Sequence, residues 1–371
     1  MKVLQISKFY PPVMGGIESV AWELTEGLNR AGIRTDVLCS NQSKVTQHDN
    51  FASGYDVTRA ASLGMLLSTS MSPAMAAHVW RKSHDHDVIH VHMPDPMAAL
   101  ALCMARPRSK VVVHWHSDVI RQRVALKLYE PLQRWLLSRA DAIVATSEAY
   151  ADSSAPLRPW RSKVTVIPIG ISDNRSAVCS DKARVIRQRF RGRQIVFALG
   201  RMTYYKGFDV LIDAAAALPD DSVVVIGGDG ELLESYRTLV RRRGLAGKVH
   251  LPGHINDDDL ASHYEACDVF CMPSTVRAEA YGVAMVEAMV MGKPIVATDI
   301  GGSGVPWVNL HGVTGLNVPV RKAASLATAL AGLLADAPLR GLLGTGSRTR
   351  YEQNFNAEMM TLRTIELYKS L

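Results

Sequence analysis

The chain has little cysteine, little aromatic surface and no long apolar run, and each shortage removes a class of protein. Five cysteines in 371 residues (Cys39, Cys103, Cys179, Cys267, Cys271) form no regular framework, so a disulfide-stapled fold is excluded and reduced packing thiols are expected. Cys267 and Cys271 flank an apolar stretch that reads as a buried strand rather than a metal knuckle. Aromatic residues make up 6% of the sequence, too few to furnish the stacking platforms of a single-strand nucleic-acid binder, although the net charge of +7 would suit one. The longest apolar stretches, such as Ile195 to Gly200 and Val223 to Gly227, are far too short to cross a bilayer. The start, Met1 to Ile6, has no small-residue cleavage site and does not read as a secretory signal, so a cytoplasmic protein is expected. Solenoid-length repeats and low-complexity tracts are also missing.

What is present is a chain with 47% hydrophobic residues, long enough to fill two cores. Its first part alternates strands and helices. Val3 to Ile6 reads as a strand, followed by a loop ending in Gly15-Gly16 and a helix from Ile17 through Leu28. Further strands are expected at Thr35 to Cys39, Asp87 to Val91, Lys110 to His114, Ala142 to Ala145 and Val164 to Pro168, forming a parallel sheet through right-handed crossovers. After the polar, Arg-rich stretch from Ser172 to Arg193 the pattern restarts, with six strand candidates from Ile195 to Val318. Two doubly wound Rossmann-like domains result, 1–175 and 194–350, joined by a linker at 176–193 and followed by a C-terminal helix within 351–371.

Ligands of open parallel sheets bind beyond the carboxyl ends of the strands, so the loops there carry the argument. The loop Gly200-Arg201-Met202-Thr203-Tyr204-Tyr205-Lys206-Gly207 offers a guanidinium and an ammonium, a pair suited to neutralising a diphosphate; on its own it would equally be two solvated charges. The next informative loop runs from Pro273-Ser274 through Glu279 into a helix near Gly282. The amides around Tyr281, Gly282, Val283 and Ala284 present donors and a positive dipole end to phosphate. Glu287 lies about two turns inside that helix, within an apolar run where a carboxylate needs a partner. Gly227-Gly228-Asp229-Gly230 suits either a nucleotide loop or a tight turn.

In order and spacing these motifs resemble the retaining glycosyltransferases of family 4, and the resemblance extends over essentially the whole chain. It implies the GT-B fold: two Rossmann-like domains facing across a deep cleft, with the C-terminal helix crossing back to the N-terminal domain. It implies further that Arg201 and Lys206 bind the diphosphate of a nucleotide-sugar donor, that Glu279 contacts the donor sugar and Glu287 the ribose. Gly15 and Gly16 let the first loop approach the donor phosphate or acceptor, and Gly228 and Gly230 support the base and ribose pocket. His116, at the end of the strand Lys110 to His114, matches a family position near the reacting sugar, though a histidine at a strand end can equally be a satisfied structural residue.

The run His84-Asp85-His86-Asp87 with His90 and His92 tempts one toward a metal, but alternate strand residues face opposite sides, and no metal or other cofactor is expected. His92, before Pro94, is instead an expected acceptor-side residue. Two departures stand out: Ile169-Gly170 replaces the family's usual Asn-Gly, and Gly301 to Asn309 lacks the acidic residue many members carry after their Gly pair. The second resembles a subgroup associated with bacterial surface polysaccharides. The expected reaction is therefore transfer of a hexose, mannose from GDP-mannose being preferred, to a polyprenyl-diphosphate-linked glycan, with domain closure excluding water. The basic, apolar segment Asp118 to Arg139, including Arg121, Arg123 and Val124, is either a contact with the anionic inner membrane or an ordinary packed helix. A UDP-sugar-dependent glucosyl or N-acetylglucosaminyl transferase and a sugar-nucleotide epimerase are the alternatives.

Overall fold

The computed structural model describes residues 1–51, 53–67, 69–119 and 123–371, with the backbone alone for 123–125; of the basic segment named above, Arg121 and the side chains of Arg123 and Val124 fall outside the described residues. Two compact units divide the chain: 1–172 together with 357–371, and 173–356.

The first unit holds an eight-stranded sheet in the order β10-β9-β8-β7-β1-β2-β4-β3. In chain order its strands are β1 (Lys2–Ser7), β2 (Arg34–Ser40), β3 (Gln47–Asn50), β4 (Asp56–Ala60), β7 (Val88–Met93), β8 (Lys110–Trp115), β9 (Ala142–Ala145) and β10 (Val164–Val166); a separate hairpin pairs β5 (Met65–Leu66) with β6 (Thr69–Ser70). All sheet pairs are parallel except β3 with β4, so the expected parallel sheet carries an antiparallel edge. Neither β3 nor β4 is legible as a strand, because Gln47–Asn50 is wholly polar and the Asp56–Ala60 segment includes Arg59, which is buried with partners in Asp49 at 2.6 Å and the carbonyls of Tyr10 and Pro11. Helices α1 (Gly16–Arg30), α2 (Ala74–Ser83), α3 (Pro96–Ala105), α4 (Arg123–Arg139) and α5 (Glu148–Ser153) connect the strands. Asp95 caps α3 by accepting from the amides of Met97 and Ala98.

The second unit is a six-stranded, all-parallel sheet in the order β13-β12-β11-β14-β15-β16, formed by β11 (Gln194–Leu199), β12 (Ser222–Gly227), β13 (Val249–Gly253), β14 (Val269–Met272), β15 (Ile295–Asp299) and β16 (Gly315–Pro319). Each of the six expected strands is present. β-Branched runs such as Val223-Val224-Val225-Ile226 are buried on both faces by helices, as a parallel sheet requires. Helices α6 (Ser180–Arg189), α7 (Phe208–Ala215), α8 (Leu233–Arg242), α9 (Asp257–Ala266), α10 (Val283–Val290), α11 (Val305–Val308), α12 (Ala323–Ala335) and α13 (Ala337–Asn354) complete the unit.

The boundaries differ from those expected. The stretch 176–193 is no simple linker: α6 lies inside it, packs against α9, and is tied by Lys182 to Asp259. Asp173 joins the second unit through Arg348 at 2.7 Å. The helix expected within 351–371 is two: α13 runs unbroken to Asn354, and α14 (Ala357–Lys369) returns to the first unit, where it packs on α1. Met360, Leu367 and Tyr368 of α14 are buried, and Ile365 is half-buried. Gly27 on α1 is the contact point, since a Cβ there would meet Oγ1 of Thr361 at 2.1 Å. Among the described residues no single helix is long and apolar enough to cross a membrane, and α12 with α13 reach that length only as a pair bent by 102°.

Candidate active site

In the second unit the strand order reverses between β11 and β14, the position where an open parallel sheet leaves a crevice at its carboxyl edge. The two loops with the expected charges leave the sheet there. Lys206, after β11, places Nζ 2.6 Å from Oε2 of Glu279, after β14, and both side chains are about nine-tenths buried. Burial works against the lysine charge, but the Glu279 carboxylate more than offsets it and holds the ammonium above the usual lysine range. Ser274 donates to the same carboxylate oxygen at 2.8 Å. Beneath it, Ser303 donates to the carbonyl of Glu279, Thr298 to that of Ser274, and the amide of Gly304 to the carbonyl of Ala280 at 2.8 Å. Residues 298–304 thus fix the backbone on which Glu279 sits, a role no spacing in the sequence signals. Arg201 lies on the same loop as Lys206 and is exposed.

Helix α10 begins directly after this loop. Its N-cap is Gly282 at φ 90°, a conformation open chiefly to glycine; a Cβ there would also meet Met272 Cε at 2.3 Å. No side chain caps the helix and no acidic residue occupies its first turn, so the amide end is suited to an anion supplied from outside. Glu287, one turn and a half further along, accepts a 2.5 Å hydrogen bond from the Tyr264 hydroxyl, the partner its apolar surroundings demanded. Burial pushes the Glu287 carboxyl above its usual value, the Tyr264 bond opposing it only in part. Gly228 and Gly230 have a packing role: a Cβ on Gly228 would stand 2.0 Å from the carbonyl oxygen of Gly200, and one on Gly230 2.7 Å from that of Met202. The β12 loop is thereby pressed against the β11 loop, which the amide of Met202 fastens to the Asp229 carbonyl at 2.8 Å.

In the first unit the corresponding reversal falls between β1 and β7. Gly15, in an extended conformation, and Gly16 begin α1 beyond β1, and a Cβ on Gly16 would meet nothing within 4 Å. Four histidines form a ladder on one face of β7 and β8. His90 pairs with His114 (Nε2 to Nδ1, 3.1 Å) and His92 with His116 (Nδ1 to Nε2, 2.9 Å); the rings of His114 and His116 stack with centroids 4.2 Å apart. Tyr368 of α14 reaches His90 Nδ1 at 2.6 Å, and Gln5 Oε1 lies 2.8 Å from His92 Nε2. Burial lowers the pKa of all four rings, to about 3 for His114, so the ladder is neutral at pH 7.

This arrangement corrects two expectations. His90 and His92 are two apart and therefore share a face, so strand alternation does not separate them; with His114 they bring ligand nitrogens within 4.8 Å of one another. Those nitrogens are nonetheless engaged with one another, His116, Gln5 and Tyr368, save Nε2 of His114. His92, expected on the acceptor side, is 1% exposed and paired with His116, which is 6% exposed, so it has almost no surface of its own to offer a ligand.

A carboxylate and an ammonium held at a sheet switch point beside an uncapped helix suit an anionic ligand, and the family matches that follow make this two-domain chain a glycosyltransferase of the GT-B class. Residues 14–175 match the family described as Glycosyltransferase Family 4, and residues 180–350 match Glycosyl transferases group 1. The chain is 33% identical over its full length to an O-antigen chain mannosyltransferase C of Escherichia coli, covering 99% of that protein. It is 34% identical to the D-rhamnosyltransferase WbpZ of Pseudomonas aeruginosa over 96% of this chain and 93% of that one. The HepE structure from Anabaena with UDP and glucose superposes over 100% of both chains with a TM-score of 0.81 at 21% identity. The chain belongs to glycosyltransferase family 4.

Proposed function

We propose that this enzyme moves a hexose, with mannose from GDP-mannose preferred, from a nucleoside-diphosphate sugar to a lipid-linked glycan, with retention at the anomeric carbon. The observation that carries the donor site is the Lys206–Glu279 pair at 2.6 Å below the start of α10. Lys206, Arg201 and the amides following Tyr281, Gly282 and Val283 take the diphosphate. Glu279 and Glu287 accept from hydroxyls of the sugar and the ribose. Gly228 and Gly230 shape the base side, while Gly15, Gly16 and His116 belong to the sugar and acceptor side. In the reaction the bond from C1 to the phosphate oxygen breaks, the acceptor oxygen bonds to C1 on the same face, and the acceptor proton passes to the departing phosphate. The protein's contribution is to stabilise the charge that grows on that diphosphate.

The similarity to the O-antigen chain mannosyltransferase supports mannose as the sugar and a lipid-linked glycan as the acceptor, for which a polyprenyl diphosphate is the proposed carrier. Cytoplasmic placement at the inner membrane follows from such an acceptor. For α4 the packed reading gains ground, since Leu136, Leu137 and Gln133 are buried, although Lys127 and the 83% exposed Leu128 leave a face for anionic lipid. Incubation with GDP-mannose, UDP-glucose or UDP-N-acetylglucosamine, with and without a polyprenyl-diphosphate glycan, tests the reading by NMR of the product's anomeric signal. An α-mannosyl lipid supports it. Donor interconversion without an acceptor would indicate an epimerase, and transfer from a UDP-sugar alone would replace the donor.

A further inference from the structure

We propose that Gln5 and His92 are positioning residues that fix His116 in one tautomer, so that its Nδ1 accepts a hydrogen bond from a hydroxyl of the transferred sugar. The proposal rests, for its sugar, on the reading of His116 given above; the tautomer stands on the hydrogen-bond geometry of buried, neutral rings. Gln5 sits on β1, opposite His90 of β7 in the parallel register, and His92 stands opposite His114 of β8. All these side chains therefore share one face of the sheet. His116, just beyond β8, is held in register by its amide, which donates to the Met93 carbonyl at 3.0 Å.

The direction of the hydrogen bonds follows from the atoms. The carbonyl oxygen of Gln5 can only accept, so His92 Nε2, 2.8 Å away, carries the proton. A neutral imidazole has one N–H, so His92 Nδ1 is left with a lone pair and must accept from His116 Nε2 at 2.9 Å. His116, neutral in turn, has spent its proton on His92, and its Nδ1 is a bare acceptor. Of the four stacked rings this is the one with solvent access, 6% against 0–1% for the others. A ring free to choose its tautomer would serve a sugar hydroxyl as donor or acceptor; this one is committed through two residues 24 and 111 positions away in sequence, neither of which reaches the solvent side.

The consequence is a chemical preference. A hydroxyl satisfies Nδ1 because it can donate. A fluorine at the same carbon cannot donate, and a deoxy carbon offers nothing, so both analogues lose the bond equally. The loss is expected to be about tenfold in kcat/KM, the value of one hydrogen bond to a buried acceptor.

The experiment is nitrogen-resolved NMR of the full-length protein labelled in its histidine rings, with the His116 signal assigned by its loss in His116→Asn. The expected spectrum has Nε2 protonated and Nδ1 bare in the wild type and in Gln5→Glu, which keeps an acceptor at this atom, and mixed tautomers in Gln5→Leu. A protonated Nδ1 in the wild type overturns the relay whatever the enzyme transfers. With the relay seen, donors carrying fluorine or hydrogen in place of each hydroxyl in turn are compared. One position at which both substitutions cost the same, with that cost absent in His116→Asn, supports the sugar contact. A fluoro donor clearly better than its deoxy counterpart at every position where His116→Asn matters would make His116 a donor and overturn it. If no nucleotide sugar is turned over at all, the reading of function fails while the tautomer result still decides the relay.

Discussion

Lys206 and Glu279 stand 73 residues apart in sequence and 2.6 Å apart in space, each at the end of one of the two strands between which the second sheet reverses. Neither can be removed alone without leaving the other buried and uncompensated. Lys206→Ala should therefore cost stability, about 3 kcal/mol, as well as turnover. Replacing both, as Lys206→Met with Glu279→Gln, leaves Ser274 a partner and should recover much of the stability but none of the activity. Urea midpoints of the three proteins beside their transfer rates check this; a double variant no more stable than Lys206→Ala contradicts it.

Glycines at the two sheets should behave oppositely. Gly16 is the first residue of α1, with open space where a Cβ would lie, so Gly16→Ala should leave thermal stability unchanged or raise it by up to about 1 kcal/mol. Its kcat/KM should nonetheless fall by about tenfold or more if a ligand approaches the backbone there. Gly228, at φ 126° and 2.0 Å from a carbonyl in the Cβ direction, has no room. Gly228→Ala should destabilise the second domain by several kcal/mol, as overpacking and strain combine. Thermal melts and kinetics of the pair separate the two roles.

Acid should weaken the first domain through its four buried histidines, opposed only in part by Asp95, whose carboxyl burial pushes up to about 6. The unfolded chain takes up protons near the usual histidine value of about 6.5, while the buried ladder, its pKa values lowered, does not. Below that pH the unfolded state binds more protons, so stability falls as pH falls, by about 1.4 kcal/mol per pH unit for each histidine. Urea midpoints should drop steeply between pH 6.5 and 5. A flat profile there would mean that the ladder is already protonated or open to water.

Nucleotide binding should fall as well, through Glu287. Its carboxyl is raised by burial, and ribose hydroxyls bond best to the ionised form, so affinity should rise with pH through that raised value and then level off. Tyr264→Phe removes the donor that favours the charge, and should move the rise to higher pH and weaken binding several-fold. Titrations across pH 5 to 8 on both proteins provide the comparison.

The sequence made strands legible where both faces are apolar, as along Val111-Val112-Val113 and Val223 to Ile226, because a run of β-branched residues needs no partner to be read. It hid β3 and β4, where the polar residues pair across the chain, Arg59 with Asp49, and β4 is held by its ladder to β2. In the site, Glu279 and Glu287 could be read from their eight-residue spacing, since one stretch of chain carries both. What surrounds them could not: Tyr264 arrives from α9, Thr298 from β15 and Ser303 from the loop after β15. The histidine ladder shows the same limit. His90 and His92 were visible as a pair, but their partners lie on β8, β1 and α14, and only the register of the sheet sets them opposite.

The most direct test of the account is a calorimetric titration of the whole chain with GDP, UDP and ADP, repeated on Lys206→Ala and on Glu287→Ala. One diphosphate, GDP, should bind selectively, and each substitution should weaken it by about tenfold or more. Binding of none of the three, or binding that neither substitution changes, would contradict the assignment of these residues to the donor site.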